Sequence, residues 1–136
     1  MLAVENIRVE RLDLRHVEEL QQLHERCYDF IELVYGGLAP DEAENLLMEG
    51  PEGMLPEDKF VFGFFDGDAL VGALDLIRHF PERNEYIIGL LMLDPERRRA
   101  GLGTRIHDAV ERWVRAEGGT ALRLVVQEQN PDALRF

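Results

Sequence analysis

The sequence predicts a domain of the α/β (α+β) class, in which a mixed central sheet is flanked by helices. Its longest apolar run, Tyr86–Leu93, is typical of a strand that is covered on both faces. After a short turn, residues 103–117 carry apolar side chains at the spacing of one helix face, and residues 120–127 form another β-rich run. A strand, a helix and a second strand in this order form a crossover that makes the two strands parallel.

Composition excludes several classes of function before any motif is considered. The chain has 136 residues with 46% apolar side chains, which suits a single domain over 1–136, and its formal net charge is −12. Such a charge repels a polyphosphate backbone, so we expect no nucleic-acid partner. No apolar run approaches the length of a membrane span, and the N-terminus lacks a basic head. We therefore expect no membrane association and a cytoplasmic location.

The N-terminal half predicts one strand and two helices. Apolar and charged residues alternate over Ile7–Arg11 as in a strand, and Asp13 is a candidate N-cap for a helix. Apolar residues at helical spacing predict a first helix with an apolar face from Leu20 to Val34, and a second helix lies within Pro40–Gly50. Residues 51–58 contain two prolines and no periodicity, which predicts a loop.

The middle of the chain predicts a hairpin and then the central strand. Lys59–Asp66 and Ala69–His79 are β-rich runs, and the two residues between them, Gly67-Asp68, suit a tight turn. A second turn at residues 81–84 leads into the central strand, Glu85–Leu93.

A glycine-rich turn joins the central strand to the next helix. Its sequence, Arg98-Arg99-Ala100-Gly101-Leu102-Gly103, fits R-x-x-G-x-G, in which glycines let backbone N–H groups approach an anion at a helix N-terminus. The turn is not a Walker loop, because no Gly-Lys-Ser/Thr is present, and Ile106 stands where a dinucleotide motif requires glycine. The turn predicts a pyrophosphate site, and the arginines around it add positive charge.

Leu91–Pro95 together with Arg98–Thr104 resembles the acyl-CoA motif of the GNAT superfamily of N-acetyltransferases. The order of strands before the motif, the strand Leu122–Val126 and the segment Asn130–Ala133 are similar to that family as well. The resemblance implies the GNAT fold, with acetyl-CoA as the acyl donor. The family's usual tyrosine acid and final strands would come after Phe136, which implies either a truncated chain or a partner that completes the sheet.

The resemblance also implies which residues bind acetyl-CoA. Backbone groups of the central strand would pair with the pantetheine amides, and backbone donors of the glycine-rich turn would bind the pyrophosphate. The expected cofactor-binding residues are Leu91, Met92, Leu93, Arg98, Arg99, Ala100, Gly101, Leu102, Gly103, Thr104 and Asn130.

The family's reaction is direct attack of an amine on the acetyl thioester in a ternary complex. By resemblance, the backbone N–H of Leu93 would stabilise the oxyanion. Glu85 and Asp75 are candidate bases, and burial of Asp75 on an apolar face would raise its pKa. Deprotonation through water is an alternative, as is a purely structural role in which Asp75 pairs with Arg78 or a backbone donor and Glu85 is a solvated strand end. Tyr86 is a candidate acid, but core packing explains it more simply.

Acceptor contacts are expected from the first helix, the loop after it and the hairpin. The candidates are Phe30, Glu32, Tyr35 and Arg78, although packing explains Phe30 and Tyr35 more simply than substrate contact does. His24 and Cys27 share a helix face, but no second ligand pair stands at matching spacing, so we expect core packing there and no metal site.

These patterns lead to one main hypothesis and one alternative. The main hypothesis is an acetyl-CoA-dependent N-acetyltransferase that acts on the primary amine of a small molecule, with peptide or protein amines as less favoured acceptors. The alternative is a noncatalytic acyl-CoA-binding or oligomerisation module with the same fold. A homodimer is expected in either case, because symmetric pairs are the commonest assemblies and an incomplete sheet needs cover.

Overall fold

The computed structural model describes residues 2–27, 40–98 and 101–124. Five strands form one mixed sheet in the order β1-β2-β3-β4-β5, and three α-helices are described beside it. The mixed α+β architecture predicted from the sequence is confirmed. The elements are β1 (Arg8–Arg11), α1 (Val17–Arg26), α2 (Glu42–Met48), β2 (Lys59–Asp66), β3 (Ala69–Arg78), β4 (Glu85–Leu93), α3 (Leu102–Ala116) and β5 (Ala121–Leu124).

Asp13 caps the turn that precedes α1, as predicted. Its carboxylate accepts from the backbone N–H of Arg15 at 2.9 Å, and its own N–H donates to Nδ1 of His16 at 3.1 Å. This reciprocal pairing satisfies donors that the start of a helix leaves open. α1 is described as far as Arg26. The rest of the predicted first helix, to Val34, lies outside the described residues.

The predicted hairpin is formed by β2 and β3, which pair antiparallel from Asp66 opposite Ala69 to Lys59 opposite Ile77. Gly67 adopts φ +61°, the left-handed conformation that a tight hairpin turn requires. β3 ends at Arg78, one residue earlier than predicted. In the segment predicted as loop before β2, residues 56–58 form a single 3₁₀ turn.

β4 contains a β-bulge at Gly89. Ile88 lies opposite Leu76 and Leu90 lies opposite Asp75, so Gly89 has no partner on β3. The extra residue inverts the faces of the strand. Tyr86 and Ile88 pack in one core cluster, whereas Leu90 and Met92 pack in the other. The apolar sequence of β4 predicted a strand covered on both faces. After the bulge this prediction holds, because Leu90 and Met92 pack in one cluster while Leu91 and Leu93 pack against the other.

The two core clusters lie on opposite faces of the sheet. One contains the apolar face of α3, where Trp113 meets the rings of Phe60, Phe62 and Tyr86 edge-on. The other contains Leu20 and Leu23 of α1 and Ala43 of α2. α3 connects β4 to β5, and these strands are parallel with Glu85 opposite Ala121, which confirms the predicted crossover.

Among the described helices, we find none that combines the length and the apolar character needed to cross a bilayer.

Candidate active site

The N-terminus of α3 is built as an anion site. Gly101 precedes the helix with φ +84°, a left-handed conformation that favours glycine. The first helical hydrogen bond runs from the N–H of Arg105 to the carbonyl of Gly101 at 3.1 Å. The N–H groups of Leu102, Gly103 and Thr104 therefore have no acceptor within the helix, and no described side chain caps this end. Free amides at the positive end of the helix attract a phosphate group.

Arg98 links the glycine-rich turn to the end of β4, because its Nε donates to the carbonyl of Leu93 at 3.2 Å. Two neighbouring arginines are held elsewhere. Arg97 pairs with Asp66, and Arg105 donates to the carbonyl of Glu5 at 3.2 Å. Arg99 and Ala100, the remaining predicted residues of the turn, lie outside the described residues.

The C-terminal half of β4 presents backbone groups at the edge away from β3. The N–H of Asp94 donates to the carbonyl of Val71 at 2.8 Å, which sets the phase of the ladder between the two strands. Hydrogen-bonded residues alternate along an antiparallel ladder, so Met92 bonds to β3. Leu91 and Leu93 therefore direct their N–H and carbonyl groups to the opposite side.

On that opposite side the described residues of β5 lie beside the first part of β4. They pair with Glu85–Ile88, and in the described part of the chain no strand lies beside β4 after the bulge. The carbonyl of Leu93 instead accepts from the thiol of Cys27 at 3.1 Å and from Arg98. A ligand with peptide-like amides fits this edge, since it can pair with Leu91 and Leu93 and extend toward the start of α3. The residues present thus suit a pantetheine arm and its diphosphate.

Glu85, the first candidate base, is half-buried at the start of β4. Its carboxylate oxygens lie 3.3 and 3.4 Å from the guanidinium of Arg123 on β5. At the rise of an extended strand, Glu85 lies about 25 Å from Leu93. The structure therefore does not bring Glu85 together with the predicted oxyanion donor.

Asp75, the second candidate base, lies on β3 beside the bulge. Its Oδ1 accepts from the Lys59 ammonium at 2.9 Å, and both side chains are buried. Its Oδ2 lies 3.0 Å from the point that a Cβ on Gly89 would occupy, so the carboxylate reaches over β4 where that strand has no side chain. Burial raises the pKa of Asp75, while the charge of Lys59 and its hydrogen bond act in the opposite direction.

Arg78 does not pair with Asp75, so the structural interpretation that joined them is wrong. Its guanidinium is held by the Asp58 carboxylate at 2.8 Å and by the carbonyl of Glu57 at 3.3 Å. The register explains this result, because Arg78 lies opposite Tyr86, near the start of β4. Arg78 lines a different groove from the cavity that Asp75 lines. The other predicted acceptor residues, and one cofactor residue, lie outside the described residues: Phe30, Glu32, Tyr35 and Asn130.

Tyr86 is 2% exposed and packs against Trp113, which agrees with a core role rather than that of an acid. His24 and Cys27 are buried as well, as expected for core packing. Within the part of the chain that the structure describes, His107, Asp108 and Glu111 of α3 form one group of possible metal ligands, with ligand atoms within 4.8 Å of one another. This group was not predicted from the sequence, and its residues are near neighbours on one helix.

Sequence reasoning assigned no role at the site to two residues near Asp75. Lys59 was assigned only to the start of a strand, yet it is the ion-pair partner of Asp75. His24 is 1% exposed, and in the described residues neither ring nitrogen has a hydrogen-bond partner. Burial lowers the pKa of His24 to about 4, so the imidazole is neutral at pH 7. Lys59 and His24 therefore place a buried ammonium and a buried imidazole beside Asp75, in the lining of one cavity.

An edge of β4 beside which no described strand lies, next to a helix N-terminus with no side-chain cap, suits an acyltransferase that uses acyl-CoA. The model of the Acetyltransferase (GNAT) family matches residues 17–136, and the chain belongs to this family. The predicted membership and fold are therefore confirmed. No curated protein matches the chain significantly.

Solved structures share this fold at low sequence identity. A ribosomal-protein-alanine N-acetyltransferase from Brucella melitensis biovar Abortus 2308 is 17% identical with a TM-score of 0.72, covering 95% of this chain and 86% of that one. An aminoglycoside acetyltransferase from an uncultured soil metagenomic sample, in complex with trehalose, is 20% identical with a TM-score of 0.65, covering 94% and 82%. A GNAT family acetyltransferase from Brucella melitensis in complex with acetyl-CoA is 14% identical with a TM-score of 0.61, covering 89% and 76%.

Proposed function

We propose that this protein transfers the acetyl group of acetyl-CoA to the primary amine of a small molecule, by direct attack in a ternary complex. The observation that carries the proposal is the edge of β4 after the Gly89 bulge, beside which the described residues place no strand, together with the N-terminus of α3, which has no side-chain cap. Family membership supports acetyl transfer. A neighbour that binds acetyl-CoA supports the donor, and a neighbour that acetylates aminoglycosides supports a small-molecule amine.

The chain's donor site has two parts in this proposal. The N–H groups of Leu102, Gly103 and Thr104 bind the diphosphate, while the peptide groups of Leu91 and Leu93 align the pantetheine arm. Acetyl-CoA, when bound, supplies the acetyl group as an activated thioester.

The edge amides of β4 stabilise the oxyanion. Leu93 was the predicted donor, and Leu91 presents its N–H to the same side. Asp75 lies opposite Leu90 in the register, so Leu91 is one residue away from it and Leu93 is three, about 10 Å along the strand. We therefore add the N–H of Leu91 as the oxyanion donor nearer to the proposed base, while the carbonyl of Leu91 and the peptide groups of Leu93 serve the pantetheine arm.

Asp75 is the proposed base, because its carboxylate lies over the bulge and the Lys59 ammonium favours its ionised form. An acceptor ammonium gives one proton to Asp75, which returns it to solvent. The free amine then forms a bond to the acetyl carbon, the carbon–sulfur bond breaks, and the second proton of the nitrogen moves to sulfur. A carboxylate with a raised pKa accepts a proton more readily near neutral pH.

The first experiment is a calorimetric titration with acetyl-CoA, with CoA and ATP as comparison ligands. The wild-type protein is expected to bind both CoA species and not ATP. Gly101→Leu should abolish this binding, because a side chain at φ +84° strains the turn and occupies the space beside the amides. Gly118→Leu is a matched control, since Gly118 has φ +85° at the other end of α3 with equal space around it.

Two results would decide between the hypotheses. Retained acetyl-CoA affinity in Gly101→Leu would contradict the assigned donor site. Binding of acetyl-CoA without amine-dependent release of CoA, over a broad amine panel, would support the noncatalytic alternative. A cytoplasmic location, a homodimer and a single domain over 1–136 stay predictions.

A further inference from the structure

A cavity of about 350 Å³ lies between α2 and the sheet, on the face opposite to α3. We call it the α2 cavity. Its volume is near the lower end of the range of about 300–1,000 Å³ found for small-molecule pockets. Its polar lining residues are His24, Glu42, Asn45, Glu49, Lys59 and Asp75.

The outer wall of the α2 cavity is acidic. Glu42 and Asn45 are three residues apart on one face of α2, and Glu49, which follows the last residue of the helix, lines the same cavity. Glu49 is exposed at the mouth, and Glu42 and Asn45 are half-buried behind it. An ammonium group entering from solvent meets carboxylates before it reaches the buried end.

The inner wall of the α2 cavity contains the ion pair of Lys59 and Asp75, whose opposite charges neutralise each other. Lys59 points its ammonium to Asp75 at 2.9 Å, and the relative exposures of the two side chains are 7% and 12%. Because Lys59 is engaged in this pair, it does not reverse the acidic character that the exposed Glu49 imparts. The cavity therefore favours a cation over an anion.

His24 adds an independent requirement, which is that the ligand forms a hydrogen bond to the imidazole. The ring lies in the wall of the α2 cavity, is 1% exposed, and has no hydrogen-bond partner for Nδ1 or Nε2 within the described residues. A neutral imidazole offers one donor and one acceptor. Leaving both unpaired in the interior is costly, so a ligand that hydrogen bonds to His24 gains affinity relative to one that does not.

The α2 cavity ends at the proposed reaction centre. Leu90 of β4 lines it, and so does Asp75, whose Oδ2 lies over the Gly89 bulge. The edge of β4 beside which no described strand lies begins at the same bulge. An amine held in the cavity is therefore placed next to the strand that would align the donor.

We propose that the α2 cavity is the acceptor pocket and that it selects a small aliphatic ammonium carrying a second hydrogen-bonding group, which pairs with His24. The proposal rests on the proposed function for its catalytic meaning, whereas the binding itself does not depend on acetyl transfer. Glu49 attracts the cation, His24 selects the second group, and Asp75 takes the proton.

The test compares four probes of equal chain length by NMR and calorimetric titration of the full chain without acetyl-CoA. 1,4-Diaminobutane and 4-aminobutan-1-ol should bind, and both should shift the ring nitrogen signals of His24. Butylamine should bind about two- to tenfold more weakly, because it makes no hydrogen bond to the imidazole. Butanoate should not bind. Equal affinity for all four probes, or diamine binding without a change at His24, would overturn the proposal.

The contribution of Glu49 to amine binding is tested by comparing its substitution with that of a nearby acidic residue that lies outside the cavity. Glu49→Gln should weaken 1,4-diaminobutane binding about two- to fivefold at low salt. Glu52→Gln is the matched control, because Glu52 is an exposed acid of the adjacent loop that lines a different groove. An equal effect of both variants would show general charge attraction and would contradict the assigned pocket.

The two proposals can fail separately. If the protein binds acetyl-CoA but none of the amines at millimolar concentration, the α2 cavity is not the acceptor pocket and the donor site stands. If the amines bind with the expected preference while acetyl-CoA does not, the amine site stands and the acetyltransferase proposal fails.

Discussion

The ammonium of Lys59 lies 2.9 Å from Oδ1 of Asp75, inside the protein, although the two residues belong to different strands of the hairpin. A bulge brings them together. Leu70 lies opposite Phe65 and Gly72 lies opposite Phe64, so β3 contains one extra residue between these pairs. Without it, Lys59 and Asp75 would face opposite sides of the sheet, because side chains alternate along a strand.

The ion pair predicts a specific pattern of stability. Lys59→Met leaves the Asp75 carboxyl buried without its partner, and we expect a loss of about 3 kcal/mol in the free energy of unfolding near pH 7. The double variant Lys59→Met/Asp75→Leu should recover most of this loss, since no charge then remains buried. Denaturant unfolding measures both values. Additive losses in the double variant would show that the two residues do not act as a pair.

The bulge in β3 shows which features of this fold can be predicted from the sequence. Lys59–Asp66 and Glu85–Leu93 were predicted at their observed bounds, because β-rich composition and the turn between strands are local properties. The position of an extra residue in one strand is not local, since it depends on packing across the sheet. The predicted hairpin therefore did not reveal that Lys59 and Asp75 share a face.

Parts of the candidate site were predictable for similar reasons. Gly101 was identified from the motif and adopts the left-handed conformation that such a turn requires. The bulge at Gly89 was not identified, because a glycine within an apolar run predicts neither a bulge nor which side chains of the strand would face each side of the sheet. His24 was placed in the core from its helical spacing, but spacing does not show that a buried ring lacks a hydrogen-bond partner.

The two candidate bases make different predictions for catalysis. Asp75→Asn should lower kcat about 100-fold with little change in acetyl-CoA affinity, because it removes the group that lies over the bulge. Glu85→Gln should change kcat by less than about threefold, since Glu85 pairs with Arg123 at the other end of β4. Steady-state kinetics with one amine measures both. A larger effect of Glu85→Gln would reverse the assignment.

Gly89 is expected to position the Asp75 carboxylate. An alanine Cβ at residue 89 would lie 3.0 Å from Oδ2 of Asp75, so Gly89→Ala should displace this oxygen and lower kcat about tenfold. Acetyl-CoA affinity should not change, because the substitution adds no atom to the edge that carries Leu91 and Leu93. In the Asp75→Asn background, Gly89→Ala should have no further effect on kcat. Independent, additive effects would show that Gly89 acts by another route.

His24 predicts how stability depends on pH. Burial lowers its pKa from 6.5 to about 4. Between these two pH values the unfolded chain is protonated at His24 and the folded protein is not. Stability should therefore fall by about 3 kcal/mol as the pH decreases from 6.5 toward 4. Asp75 opposes this trend, because burial raises its pKa and protonation relieves a buried charge.

The contribution of His24 is isolated by measuring the free energy of unfolding against pH for two proteins in the Asp75→Asn background. That background should show the full loss between pH 6.5 and pH 4, and the variant that also carries His24→Leu should be flatter by about 3 kcal/mol over the same interval. The carboxyls of Glu42 and Glu49, which also line the α2 cavity, are common to both proteins and cancel in the comparison. Equal slopes would mean that folding does not lower the pKa of His24, and burial would then not hold the imidazole neutral between pH 6.5 and pH 4.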